Sequence, residues 1–96
     1  MATLTVTASP GPTLTGYNMD VDGNPVHFAG HTGSVTVSGS CGDGSSHRAN
    51  YGFFGPAGST FGFVITCNGN PVCTVVGARV PAATAPNAAD SEEFNL

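Results

Sequence analysis

Polar and apolar residues alternate along most of this chain with a period of two, and no segment carries the 3.6-residue period of an amphipathic helix. That pattern confines the chain to β structure. Leu4, Val6 and Ala8 fall on one face of residues 3–8, with Thr3, Thr5 and Thr7 on the other, before SPGP at 9–12 breaks the run. Val35 and Val37 alternate in SVTVSGS (34–40), YGFF (51–54) is a further short strand, and two alternating stretches cover 60–66 and 72–80. About seven short strands with turn signals every 8–12 residues predict an all-β fold, a small antiparallel β-sandwich or barrel of Ig-like or jelly-roll-like type. The 96 residues allow one domain, placed at 1–80.

GYNMDVDGNPVHF (16–28) is the best-specified unit. A two-residue loop on Asp22-Gly23, the type I′ signature, sets Val21 opposite Asn24 and Met19 opposite Val26. It also sets Tyr17 opposite Phe28, so the large apolar side chains share one face. Pro25 cannot donate to a ladder, which makes its strand an edge or the start of a bulge.

Cys67 and Cys73 bracket Asn-Gly-Asn-Pro-Val within FGFVITCNGNPVCTVVG (61–77). A tight Asn68-Gly69 turn sets Cys67 opposite Asn70 and Cys73 opposite Val64, which sends the two sulfurs to opposite faces. A three- or five-residue loop sets the cysteines directly across from each other, about 4.5–5.5 Å apart at Cα, within disulfide range. Pro71 favours the wider loop, because in the tight register it sits in the ladder with no N–H to give. The expectation is a Cys67–Cys73 disulfide that stiffens a hairpin tip, with Cys41 as the free thiol. A bridge from Cys41 to either of the others stays open.

From Pro81 the alternation stops. PAATAPNAADSEEFNL (81–96) reads as an extended, acidic Pro/Ala-rich C-terminal arm, with Pro81 and Pro86 as stiffeners and Phe94 and Leu96 as an apolar hook for a neighbouring subunit.

Only 8% of residues are charged, against roughly a quarter in an ordinary domain, and Arg48 and Arg79 are the only strong cations. Thr, Ser, Asn and Gly must therefore make the surface. A net charge of −4 without a basic patch removes the main driving term for nucleic acid. No stretch approaches 18 apolar residues, so no membrane partner is expected. MATLTVTASP has neither a charged n-region nor an apolar h-region, so no signal peptide is predicted. Cytoplasmic synthesis followed by a place in a virion or other extracellular assembly is the expected localisation.

Motifs for chemistry are sparse. His27 and His31 have H-x3-H spacing, with Cys41, His47, Cys67 and Cys73 as further donors, but they lack helical geometry and a C-x2-C pair, so no metal is expected. DVDGN (20–24) starts like a calcium loop, yet the sixth and twelfth positions are Pro25 and His31. SSHR (45–48) puts hydroxyls beside an imidazole, but sequence neighbours rarely form a nucleophile and its base, and no nucleophile elbow is present. No phosphate loop or dinucleotide fingerprint appears, so no cofactor is expected and an enzyme is not predicted.

TVTASPGPTLTG (5–16) and TCNGNPVCTVVG (66–77) resemble stretches of the small actinobacterial chromophore-carrying apoproteins, which implies a β-sandwich. That family carries two disulfides, and three cysteines cannot form two, so no site residue is carried over.

Two functions are expected from these observations. The first is a non-catalytic structural protein that decorates or cements a larger protein lattice, such as a bacteriophage capsid, through its terminal arm and strand edges, including the threonine strand at 3–7. The alternative is a soluble secreted-type binding module holding a carbohydrate or small hydrophobic ligand against Tyr51, Phe53 and Phe54, walled by His47 and Arg48.

Overall fold

The computed structural model describes residues 1–96. Its strands are β1 (Ala2–Ala8), β2 (Gly16–Val21), β3 (Asn24–Pro25), β4 (His27–Ala29), β5 (Thr32–Val37), β6 (Ser46–Phe54), β7 (Thr60–Cys67), β8 (Asn70–Arg79) and β9 (Asn87–Asn95). They form two antiparallel sheets, ordered β4-β5-β1-β7-β8 and β3-β2-β6-β9. The sheets face each other as a sandwich and do not close into a barrel.

The period-two pattern becomes burial directly. Leu4, Val6, Val35, Val37, Phe61, Phe63 and Ile65 from the five-stranded sheet meet Met19, Val21, Ala49, Tyr51 and Phe53 from the four-stranded one in a single core. Aromatic rings bridge the layers. Tyr17 stacks on Phe61 at 5.1 Å, Phe53 stacks on Phe61 at 5.5 Å, and Tyr51 meets Phe63 edge-on at 5.0 Å. Such pairs add about 0.5–1.5 kcal/mol each beyond the area they bury.

The Asp22-Gly23 turn forms as its sequence requires, with φ of 53° and 83°. Val21 pairs Asn24 and Asp20 pairs Pro25, and the β3 segment that carries Pro25 is the edge of its sheet. The hairpin then departs from a simple ribbon. After Val26 the chain crosses to the other sheet, where β4 pairs β5. Phe28 no longer opposes Tyr17 in a ladder, yet the rings still meet edge-on across the sandwich at 5.1 Å.

The Cys67–Cys73 expectation is overturned. Cys41 bonds Cys67, with Cα atoms 5.7 Å apart, and Cys73 is a buried free thiol. The hairpin keeps the tight turn, with Asn68 at φ 52° and Gly69 at φ 80°, and Cys67 pairs Asn70. Pro71 is tolerated opposite Thr66 because β8 is an edge strand. One extra residue, Val72, then bulges out, so that Ile65 pairs Cys73 and Phe63 pairs Val75. The parity argument fails at that bulge. Cys73 still turns inward, but against Ile65, leaving Cys67 for the loop cysteine.

The arm is overturned as well. Pro81 begins a compact turn in which Ala85 N–H donates to the Pro81 carbonyl at 2.9 Å, and Pro86 follows a cis peptide bond. The chain then pairs with β6 along nine residues, from Asn87 opposite Phe54 to Asn95 opposite Ser46. Phe94 is 6% exposed and lies within its own core, and Leu96 packs against it half-buried. The boundary at residue 80 therefore falls inside the sandwich. The threonine strand is not an edge either, since β1 is paired on both sides, by β5 and β7.

Candidate functional site

Two features of the four-stranded sheet stand out. One is a polar relay at the end of the sandwich, and the other is a groove across the sheet's outer face.

The relay is built on β6. His47 points inward and is 4% exposed, so its ring nitrogens must find partners inside the protein. Nδ1 lies 2.5 Å from Asp22 Oδ2, and Nε2 lies 2.9 Å from Ser45 Oγ. The Ser45 hydroxyl donates to Asp43 Oδ1 at 2.6 Å. With its one proton given to Asp43, the Ser45 oxygen accepts from Nε2–H, and Asp22 accepts from Nδ1–H. Both ring nitrogens thus have partners inside the protein. Arg48 N–H also donates to Asp22 Oδ1 at 2.9 Å.

Burial works to raise the Asp22 carboxyl, but the hydrogen bond and charge of His47 together with the Arg48 N–H leave it below its ordinary value. The Ser45 hydroxyl, then the N–H groups of Ser45 and Ser40, hold the Asp43 carboxyl down to about 2. The relay has the residue types of a Ser–His–Asp hydrolase, but Ser45 spends its proton on Asp43 and no groove lies against it. The arrangement instead ties the loop after β5 to the β2–β3 turn. The same loop is held by the Cys41–Cys67 bridge, by Leu96 N–H donating to Ser45 O at 2.9 Å, and by Gly42 N–H donating to Leu96 O at 3.2 Å.

The groove follows from alternation on β2, β6 and β9. Asn18 and Asp20 on β2 turn outward beside Asn50, Gly52 and Phe54 on β6. A hollow of about 640 Å³ runs over Phe54, Gly52 and Ala89 to Arg79 and Thr84. It shares Asn18, Gly52, Ala89 and Asp90 with a second hollow of about 460 Å³ that reaches Asp20, Asn50 and Ser91. The two are one continuous trough. Gly52 makes its floor, since a Cβ there would come within 3.0 Å of Asn18 Oδ1 and 3.6 Å of the Phe54 ring. Asn50 Nδ2 donates to Asp20 Oδ2 at 2.9 Å, and Gly23 N–H donates to the same oxygen at 3.0 Å, which fixes the carboxylate at one end.

The side chains expected to hold a ligand are thus divided. Tyr51 and Phe53, 5% and 3% exposed, belong to the core, and His47 belongs to the relay. Phe54 lines the groove, and Arg48 lies on the same outer face, hydrogen-bonded to Ser91 at 3.0 Å and to Glu93 at 2.5 Å. Asn18, Asn50 and Gly52 are not among the expected residues, although the shared parity of Asn50, Gly52 and Phe54 is readable in NYGFF; Asn18 joins them only through pairing of β2 with β6. Of the arm residues, Pro81 borders the groove and Pro86 accepts a hydrogen bond from Gly55 N–H at 2.9 Å.

Cys73 is inert in this setting. Burial pushes its thiol up to about 11, with the Glu92 charge adding to the effect. No cluster of three or more His, Cys, Asp or Glu side chains is arranged to hold a metal.

No protein-family model, curated protein or solved structure matches the chain.

Proposed function

We propose that this protein is a non-catalytic binding module that captures a neutral oligosaccharide in the groove on the outer face of its four-stranded sheet. The observation that carries the reading is the trough floored by Gly52, with the Phe54 ring at one end and the Asn18, Asn50 and Asp20 side chains along it. Amides and carboxylates match the donor and acceptor pairs of vicinal hydroxyls. An aromatic ring offers the apolar face of a sugar a platform. A glycine in mid-strand lets a ligand approach the backbone closely. Titration calorimetry against a panel of neutral oligosaccharides tests it. Saturable binding that Gly52→Val abolishes supports the reading, and absence of heat with every member of the panel counts against it.

Lattice decoration remains the second reading, now without an arm. It draws on Val76, which is 87% exposed at an edge-strand bulge beside Gly77, above an apolar hollow of about 230 Å³ lined by Gly62, Val64 and Val75. Together with the apolar lining of that hollow, Val76 makes a contiguous apolar patch at the sheet edge that another protein subunit could cover. A chain that stays monomeric by light scattering at all concentrations, and does not bind a shell of other subunits, argues against it.

A further inference from the structure

An Asp or Asn side chain precedes glycine at three places, Asp22-Gly23, Asp43-Gly44 and Asn68-Gly69. At such a pair the glycine nitrogen can close a five-membered ring on the side-chain carbonyl carbon, because glycine has no Cβ to hinder the approach. The fold clamps two of these pairs. Asp22 Oδ1 accepts from Arg48 N–H at 2.9 Å, its Oδ2 lies 2.5 Å from His47 Nδ1, and Gly23 N–H is spent on Asp20 Oδ2 at 3.0 Å. The Asp43 carboxylate accepts from Ser40 N–H and Ser45 N–H, both at 2.8 Å, and from the Ser45 hydroxyl at 2.6 Å. These bonds hold both carboxyls below their ordinary values, and an ionised carboxylate resists attack by a nucleophile.

The third pair is open. Its turn has nearly the backbone of the Asp22-Gly23 turn, with φ of 52° and 80° against 53° and 83°. The Asn68 carboxamide has no charge to protect it and makes no hydrogen bond. Gly69 N–H makes none either. Residues 68–71 are all exposed, and nothing stands within 4 Å of the place a Gly69 Cβ would take. Electrophile and nucleophile are therefore adjacent, unpartnered and reached by solvent base.

We propose that Asn68 is a self-modification site, at which the folded protein converts its own asparagine to isoaspartate and aspartate. The Gly69 nitrogen gives its proton to solvent base and bonds to Asn68 Cγ. The Cγ–Nδ2 bond breaks, and the amide nitrogen takes a proton and leaves as ammonia. Water then opens the ring. Cleavage at Cγ leaves aspartate, and cleavage at the main-chain carbonyl carbon leaves isoaspartate. One water is consumed, one ammonia is released, and nothing is oxidised or reduced. Isoaspartate routes the chain through its side chain and adds one atom to the backbone of the turn. That two-residue turn sets the β7–β8 register, with Cys67 opposite Asn70, so the added atom loosens the hairpin tip beside the Cys41–Cys67 bridge. The site is independent of the groove, which lies on the opposite sheet.

The test incubates the full chain at mildly alkaline pH, both folded and unfolded in urea with reductant, and follows it by peptide mass analysis with fragmentation that distinguishes isoaspartate from aspartate. The expected result is the mass gain of an amide-to-acid exchange at position 68 and at no other asparagine of the folded chain, with a rate of the same order as in urea. Asn68→Gly keeps a residue suited to φ 52° and should abolish that gain while leaving the unfolding midpoint unchanged. Amide hydrogen exchange at Cys67 and Asn70 should be faster in the converted chain than in the fresh one. A folded chain that stays unconverted overturns the proposal, as does conversion many-fold slower than in urea, since the turn would then protect Asn68. Conversion that begins at another asparagine overturns it too. Unchanged exchange at Cys67 and Asn70 overturns the loosening of the hairpin tip.

Discussion

His47 and Asp22, 25 positions apart in sequence, meet through Nδ1 and Oδ2 at 2.5 Å, joining the start of β6 to the turn between β2 and β3. Asp22 is therefore more than a turn residue. It holds φ 53° in the tight turn and at the same time caps a buried imidazole. Replacing Asp22 with Asn keeps a side chain suited to the turn but removes the charge that faces His47. A destabilisation of about 1–3 kcal/mol in denaturant unfolding is expected, and an unchanged midpoint would contradict the relay.

Acid should weaken the fold through the same groups. Asp22 and Asp43 sit below their ordinary carboxylate values, Asp43 at about 2. The unfolded chain then takes up protons before the folded chain does. The stability they confer is full above about pH 4 and is lost as pH falls through the folded values. Unfolding midpoints measured from pH 6 down to pH 2 should decline over the lower half of that range. Asp43→Asn should flatten the decline, and a curve that rises toward pH 2 would contradict the assignment.

Much of this fold is legible in the alternation, and its two failures have physical causes. β1 and β5 read cleanly because each has one buried and one solvated face, and β7 because Phe61, Phe63, Ile65 and Cys67 alternate with smaller residues on its half-buried side. β9 was unreadable because Phe94 is its only fully buried residue. It is held by backbone pairing at a sheet edge, where inward-side acids such as Glu92 discourage a further strand from adding on. The cysteine pairing is not legible in strand parity, because parity counts residues and a bulge adds one. Nothing in the one-dimensional pattern marks Val72 as the extra residue. The groove was half legible. Phe54 is readable as an outward aromatic, but its chain neighbours Tyr51 and Phe53 lie in the core, and its companions in the groove, Asn18 and Ala89, are brought there only by strand pairing.

The disulfide assignment is open to direct mapping. Peptide analysis without reductant should show Cys41 joined to Cys67, with Cys73 resisting alkylation until the chain unfolds. The bridge spans 26 positions, so Cys41→Ser should cost about 3 kcal/mol. A Cys67–Cys73 peptide would contradict the pairing.

The C-terminal strand makes a further stability prediction. Phe94 packs in the core with its ring 5.8 Å from that of His47. Phe94→Ala should cost about 3–5 kcal/mol, and deleting residues 87–96 should unfold the domain. A truncated chain with full stability would restore the arm.

Gly62 offers another. It is buried, and a Cβ there would lie 2.7 Å from the Val75 carbonyl oxygen at the bulge that displays Val76. Gly62→Ala should lower stability by about 2 kcal/mol or more, read from the thermal midpoint. A neutral effect would mean that the bulge yields easily.

The central claim is that the Gly52 groove is where this protein holds its ligand. Amide chemical shifts followed while neutral oligosaccharides are added test it most directly. The predicted result is a saturable set of shifts at Asn18, Gly52, Phe54, Ala89 and Ser91, with none on β1 or β5, and affinity falling on the order of tenfold in Phe54→Ala, about 1.4 kcal/mol. Shifts that gather on another face, or no shifts with any sugar offered, would contradict it.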